Sequence, residues 1–297
     1  MVKNDHFKRC YEVYRSDAES VIGSYLDDLR VFGTMREVFV YTLGGSGKLF
    51  RPVLMAALTD ALSLDKKVIH PLQFAIELVH TSSLIHDDLP ALDNDDFRRG
   101  KASCHKVYGE GVAMLAGDMM LSEAISVILL GGLPPEKTIV VCSMLSQAIS
   151  NMCIGQVLDL ESRQLAGNLK ELPLSERLKE LEEINLKKTG ALFSFSIMSV
   201  AELASLSIEQ KNKLSIFYKS LSLLFQLRDD LLDSKHDIKE GEYREMNYSD
   251  LLGSSETCEF SDSLVDKAVN ALDFLGIRGV FLRELTESFR VKPSAVS

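Results

Sequence analysis

Apolar residues recur at helical spacing along almost the whole chain, and runs that alternate as strands do are scarce. Val38 to Leu43 is the nearest to such a run and reads equally well as helix. The pattern predicts helices over Phe7 to Leu29, Pro52 to Ala61, His70 to Asp88, Ala113 to Leu130, Pro135 to Arg163, Leu174 to Leu206, Ile208 to Asp233, Leu264 to Phe274 and Val280 to Phe289. The predicted class is all-α. The breaks carry turn chemistry, in Gly44-Gly45-Ser46-Gly47, in Gly131-Gly132 ahead of Pro134-Pro135, and in Gly253-Ser254-Ser255. None is long enough to be a linker, so a single domain over 1–297 is expected.

Composition changes this picture only a little. Apolar residues make up 46% of the 297, enough for a large helical core, and disorder is not indicated. The formal charge of −10, without a Lys/Arg-rich run, excludes a nucleic-acid partner held by its phosphate backbone. Five cysteines without a Cys-x-x-Cys spacing suggest neither a disulfide framework nor a zinc site, and a reducing cytoplasm fits. The first ten residues lack the apolar stretch of a signal peptide. Thr138 to Leu158 is uncharged, but Ser143, Ser146, Gln147, Ser150, Asn151 and Gln156 make it a core helix in this reading, with no membrane span expected.

Two aspartate clusters interrupt the apolar pattern. The first, His86-Asp87-Asp88-Leu89-Pro90-Ala91-Leu92-Asp93-Asn94-Asp95-Asp96, follows the apolar segment Phe74 to Ile85. A lone Asp-Asp pair is more often a solvated loop than a site. The second lies in Leu221 to Asp233, where Ser222, Gln226, Asp229, Asp230 and Asp233 form one polar stripe without a lysine. Oxygen-only donors of this kind suit a hard cation, and magnesium takes one or two carboxylates together with phosphate oxygens. Two such clusters in an apolar helical chain suggest carboxylates facing each other at a cavity mouth. Lys48 with Arg51, the Arg98-Arg99 pair and Lys188 are candidate phosphate-binding cations.

These residues together resemble the trans-isoprenyl diphosphate synthases, in particular the short-chain farnesyl and geranylgeranyl diphosphate synthases. Ser83 to Asp96 with Arg98-Arg99-Gly100 resembles their first aspartate-rich motif, and Phe225-Gln226-Leu227-Arg228-Asp229-Asp230-Leu231-Leu232-Asp233 is similar to their second. Lys188-Thr189-Gly190-Ala191-Leu192, Leu115-Ala116-Gly117-Asp118 and Gly155-Gln156-Val157-Leu158-Asp159 also match, and the resemblance runs from about Gly44 to the basic end at Arg290 and Lys292.

The resemblance implies an isoprenoid-synthase-like bundle of about ten helices around a central cavity, joining isopentenyl diphosphate to an allylic diphosphate. Asp87, Asp88 and Asp93 would hold two Mg2+ ions and Asp229 with Asp233 a third, once substrate is bound. Arg98 and Lys188 would hold the allylic diphosphate, while Lys48, Arg51, His80 and Arg99 would hold that of isopentenyl diphosphate. Thr189 and Gln226 would stabilise the allylic cation or relay a proton. Ser82 and Ser83, five and four residues before Asp87, would form the floor of the tail pocket. Their small size implies geranylgeranyl diphosphate as main product, with farnesyl diphosphate second. A homodimer is also implied.

Two departures stand out. Gly47-Lys48-Leu49-Phe50-Arg51-Pro52 lacks one arginine of the family's run, at a position not assigned to phosphate. The stretch Ser234 to Asp250 is shorter than usual, with Met246-Asn247-Tyr248 in place of a Lys-Thr-Tyr; Lys235 or Lys239 is the candidate to replace a missing lysine, the alternative being a lid that acts differently. That altered segment motivates the alternative of a catalytically weak partner subunit that regulates another synthase. Terpene cyclases share the metal logic, but Lys48, Arg51 and Arg99 would have no role there.

Overall fold

The computed structural model describes residues 2–44, 47–164, 172–233 and 247–291, with backbone alone at 2–5, 163, 164, 232, 233 and 254. The expected features that fall on Lys235, Lys239, Met246 and Lys292 lie outside the described residues. The chain divides into two compact units, Met1–Leu145 and Ser146–Ser297.

The first unit contains α1 (Val2–Asp28), α2 (Gly33–Leu43), α3 (Phe50–Ala61), a 3-10 turn at Lys66–Ile69, α4 (His70–Asp87), α5 (Cys104–Tyr108), α6 (Glu110–Leu130) and the start of α7 (Pro135–Gln164). Val38 to Leu43 is thus helical, as part of α2. Helix α4 is apolar on almost every side, and Leu72, Phe74, Ala75, Ile76, Leu78 and Val79 are all fully buried. A helix of that kind belongs at the centre of its unit. It packs chiefly against α6, with α1 and α3 on other sides. The α4–α6 approach is close because Gly117 offers no side chain: a Cβ there would lie 2.2 Å from His86 Nε2.

Between α4 and α5 the all-α pattern is broken by a two-residue hairpin, β1 (Phe97–Arg98) against β2 (Lys101–Ala102). Its turn residues, Arg99 and Gly100, both have positive φ, 52° and 77°. Two such residues in a two-residue loop give the turn whose twist matches that of paired strands.

The second unit contains α8 (Leu174–Lys188), α9 (Gly190–Leu203), α10 (Ile208–Asp233), α11 (Tyr248–Leu252), α12 (Ser254–Ala271), a 3-10 segment at Asp273–Gly279 and α13 (Val280–Glu287). The helix expected over Leu174 to Leu206 is two helices meeting at Thr189. Helix α10 is the central one here, packed against α9 and α12. Its buried Leu214, Phe217, Leu221, Leu224, Leu227 and Leu231 recur every three or four residues.

Glu110–Leu130 and Pro135–Ser162 are long and apolar enough to cross a membrane, by length and composition only. Much of their apolar surface is uncovered, including Met114, Leu115, Leu129, Leu130, Ile139 and Val140.

Candidate functional site

In the first unit the site begins where α4 ends. Asp87 is its last residue, and the loop that follows curls straight back. Leu92 N–H donates to Leu89 O (2.9 Å) and Asn94 N–H to the same carbonyl (3.1 Å), with Asn94 in the left-handed region at φ 53°. The curl brings Asp93 N–H to 2.9 Å from Asp87 O. Two carboxylates six positions apart are therefore held together by backbone. Asp87 is half-buried and Asp93 exposed.

Asp88 has a different surrounding. It is 2% exposed, and its Oδ1 accepts from Arg98 Nε (2.8 Å) and Nη2 (2.5 Å). Arg98 also reaches Asp95 Oδ2 at 3.0 Å. Burial pushes the Asp88 carboxyl up despite the pull of Arg98. Asp88, expected among the metal ligands, thus also holds Arg98, whose Nη2 is shared between Asp88 and Asp95.

The hairpin separates the two arginines. Arg99 turns its guanidinium towards the glycine-rich turn, where a Cβ on Gly47 would sit 3.0 Å from Nη1. That turn is itself anchored. Tyr11 Oη donates to Lys48 O (2.8 Å), and Gln73 Nε2 donates to Pro52 O (3.0 Å), fixing α4 against the first turn of α3 where Arg51 lies. Gln73, Glu77 and His80 lie on one stripe of α4. Burial, then the charges of Arg51, Arg99 and Arg98, hold His80 well below the usual imidazole range. Burial pushes the Glu77 carboxyl up, and Arg99 and Arg51 pull it back. With Lys48 exposed in the turn just before α3, Arg51, His80 and Arg99 are thus drawn together around a buried glutamate that the sequence reading did not single out. Its only signal was a carboxylate inside the apolar run Phe74 to Val79.

Ser82 is 1% exposed and donates from Oγ to Gly117 O at 2.9 Å, so it faces α6. Ser83 is half-buried, with its hydroxyl on His80 O. His86 Nε2 lies 3.1 Å from Met114 O and 3.7 Å from Asp118 Oδ1. The Leu115-Ala116-Gly117-Asp118 string is therefore the seat on which the end of α4 rests.

In the second unit the polar stripe of α10 is again split. Asp229 is half-buried, whereas Asp230 is 8% exposed and accepts from Gln226 Nε2 (2.8 Å) and from Tyr248 N–H (3.1 Å). Asp233 closes the helix, and its side chain lies outside the described residues. Thr189 Oγ1 donates to Gln226 Oε1 at 3.4 Å, joining the α8–α9 joint to the stripe. Lys188 Nζ donates to the buried Asp159 Oδ2 at 2.6 Å. Gly155 lets α7 approach this joint: a Cβ there would lie 2.2 Å from Lys188 N. Arg290, at the basic end, is held by Asp262, Asp266 and Glu287.

Magnesium fits the donors. Asp87, Asp93 and Asp229 offer oxygens only, and among the described residues no three His, Cys, Asp or Glu side chains form a ready cage. A cation that completes its shell with phosphate oxygens and water needs no such cage.

The polyprenyl synthetase family profile matches residues 33–245. Farnesyl diphosphate synthase of Geobacillus stearothermophilus is 38% identical over 220 residues, which cover 72% of this chain and 71% of that protein. A chloroplastic geranylgeranyl pyrophosphate synthase of Catharanthus roseus is 35% identical over 258 residues, 83% and 69% of the two chains. The crystal structure of a geranyltransferase from Legionella pneumophila matches with a TM-score of 0.87 at 30% identity, covering 99% of this chain and all of the other.

Proposed function

The chain belongs to the polyprenyl synthetase family and is a prenyltransferase, and from that premise we propose that it condenses isopentenyl diphosphate with allylic diphosphates to geranylgeranyl diphosphate, the alternative main product being farnesyl diphosphate. What supports the reading is the pair Asp87 and Asp93, tied by backbone, in the same unit as the cluster of Arg51, His80 and Arg99 around Glu77.

In this reading Lys48, Arg51 and Arg99 hold the diphosphate of isopentenyl diphosphate, and His80, kept neutral, donates a hydrogen bond without adding charge. Arg98 and Lys188 take the allylic diphosphate, each already aimed by a carboxylate, Asp88 and Asp159. Asp87, Asp88 and Asp93 would hold two Mg2+ ions and, separately, Asp229 with Asp233 a third, once substrate is present. Bound magnesium supplies positive charge against the departing diphosphate. Preorganised cations aimed at developing negative charge are the largest usual contribution to such a step. Thr189 and Gln226 face the allylic carbon as positive charge builds there, and apolar walls exclude water from it.

A coupled phosphate-release assay with isopentenyl and dimethylallyl diphosphates tests the reaction. Release should require both substrates and stop with a chelator; release from one substrate alone, or none, would count against it. Product size is read by chromatography. Ser83→Phe should move the product to farnesyl diphosphate, and Ser82→Phe should do so only at a cost in stability, because Ser82 is wedged on Gly117. An unchanged product from both would place the floor elsewhere.

The working form proposed is a cytoplasmic homodimer. Its five free thiols suit a reducing compartment. The uncovered Met114, Leu115, Leu129, Leu130, Ile139 and Val140 suit burial against a second copy. A monomer mass by light scattering, at a concentration giving full activity, would contradict it.

A further inference from the structure

Thr189 and Gln226 are the residues placed beside the allylic cation in the function above, and the structure shows what orients them. An ionised carboxylate can only accept hydrogen bonds, so the amide group that Gln226 turns towards Asp230 is its NH2. Its Oε1 is then the atom facing Thr189, whose hydroxyl must donate. The directions along the row are thereby fixed from one end: Tyr248 N–H and Gln226 NH2 donate to Asp230, and Thr189 O–H donates to Gln226. With its proton committed in that direction, Thr189 presents oxygen lone pairs to an approaching group. A threonine hydroxyl turned the other way would present a proton, which a carbocation repels.

We propose that Asp230 is a positioning residue, setting the direction of the Thr189–Gln226 hydrogen bond so that Thr189 offers a lone pair to the allylic cation. Its second oxygen ties that orientation to Tyr248, at the start of α11. The role rests on the proposed function and goes beyond it: Asp230 touches neither substrate nor the reacting carbon. It also explains why the second residue of this Asp-Asp pair is a buried carboxylate when Asp229 alone of the two lies at the surface side of the stripe.

Exchanging the partners tests this. In Asp230→Asn the new amide keeps Tyr248 N–H on its oxygen and turns its NH2 to Gln226, which must flip and present NH2 to Thr189. kcat should fall about 10²-fold, with KM for each diphosphate and the melting temperature little changed. In the double variant Asp230→Asn with Gln226→Glu, the glutamate accepts from both neighbours, the original direction returns, and most of kcat should be recovered. Placed on Thr189→Val, Asp230→Asn should add no further loss, a result readable even if the single variant is less stable. Wild-type kcat in the single variant, a double variant no faster than the single, or additive losses with Thr189→Val would each overturn the positioning role while leaving the reaction intact. A wild-type protein that turns over neither substrate would overturn the parent function and this role with it.

Discussion

Asp88 and Asp230 are each the second carboxylate of an adjacent pair at the end of an apolar helix, and each is buried while its neighbour is not. They are satisfied by different chemistry. Asp88 meets a guanidinium supplied by a hairpin ten residues on, so charge answers charge. Asp230, among the described residues, accepts from an amide and a backbone N–H. The first arrangement is an ion pair whose disruption leaves Arg98 only the exposed Asp95; the second is a row of hydrogen bonds whose direction the proposed role of Asp230 turns on. The same two letters in the sequence are therefore met by different partners in the two units, and the proposed function gives Asp87 and Asp229 to metal.

The sharpest test of this division is at the half-buried partners. Asp87→Ala and Asp229→Ala should each lower turnover by about 10³-fold, equivalent to roughly 4 kcal/mol of transition-state stabilisation, with circular dichroism and melting unchanged; near-normal turnover in either would break the metal assignment. Next comes Asp88→Ala, which should cost about 3 kcal/mol of stability by leaving Arg98 without its buried counter-charge, whereas Asp230→Asn should leave denaturant unfolding near wild type. Equal losses in those two would erase the contrast.

The braces behind the two sites should differ as well. A methyl on Gly155 meets Lys188 backbone, which cannot swing away, while one on Gly117 meets the His86 ring, which can at the expense of its bond to Met114 O. Gly155→Ala should therefore cost about 2 kcal/mol and Gly117→Ala about half that, measured by urea titration. The smallest effect is in pH. His80 has a depressed folded pKa, so the unfolded chain takes a proton near the ordinary histidine range that the folded one refuses, and this contribution to stability is lost as pH falls below about 6.5. His80→Gln should lose less stability than wild type between about pH 7 and pH 5; parallel curves would mean that His80 is not held neutral.

Much of this was legible in the residues. The helical spacing gives α10 to the residue, Ile208 to Asp233, because its buried positions repeat without a break. Asp87, Asp93, Asp229 and the cations near Gly47 stand out because carboxylates and arginines are rare beside long apolar runs. The unequal duties within each Asp-Asp pair could not be read there: what separates Asp88 from Asp87 is Arg98 arriving by a hairpin, and what separates Asp230 from Asp229 is Tyr248, eighteen residues on. Tertiary approach also hides the joint at Thr189, which Leu174 to Leu206 conceals under continuous periodicity, and the cluster around Glu77, whose arginines come from two other segments.

Arg99 sits at φ 52°, a left-handed conformation that costs an ordinary side chain about 1 kcal/mol or more. Glycine would relax that bend, as it does next door at Gly100, and would lose the guanidinium that lies against Gly47. With Arg99 on the diphosphate of isopentenyl diphosphate, as proposed, the position sets folding and substrate capture against each other. A screen that rewards only thermal tolerance should accept Arg99→Gly, and one that rewards growth on the product should restore arginine, so the residue found there reports which pressure the chain has been under.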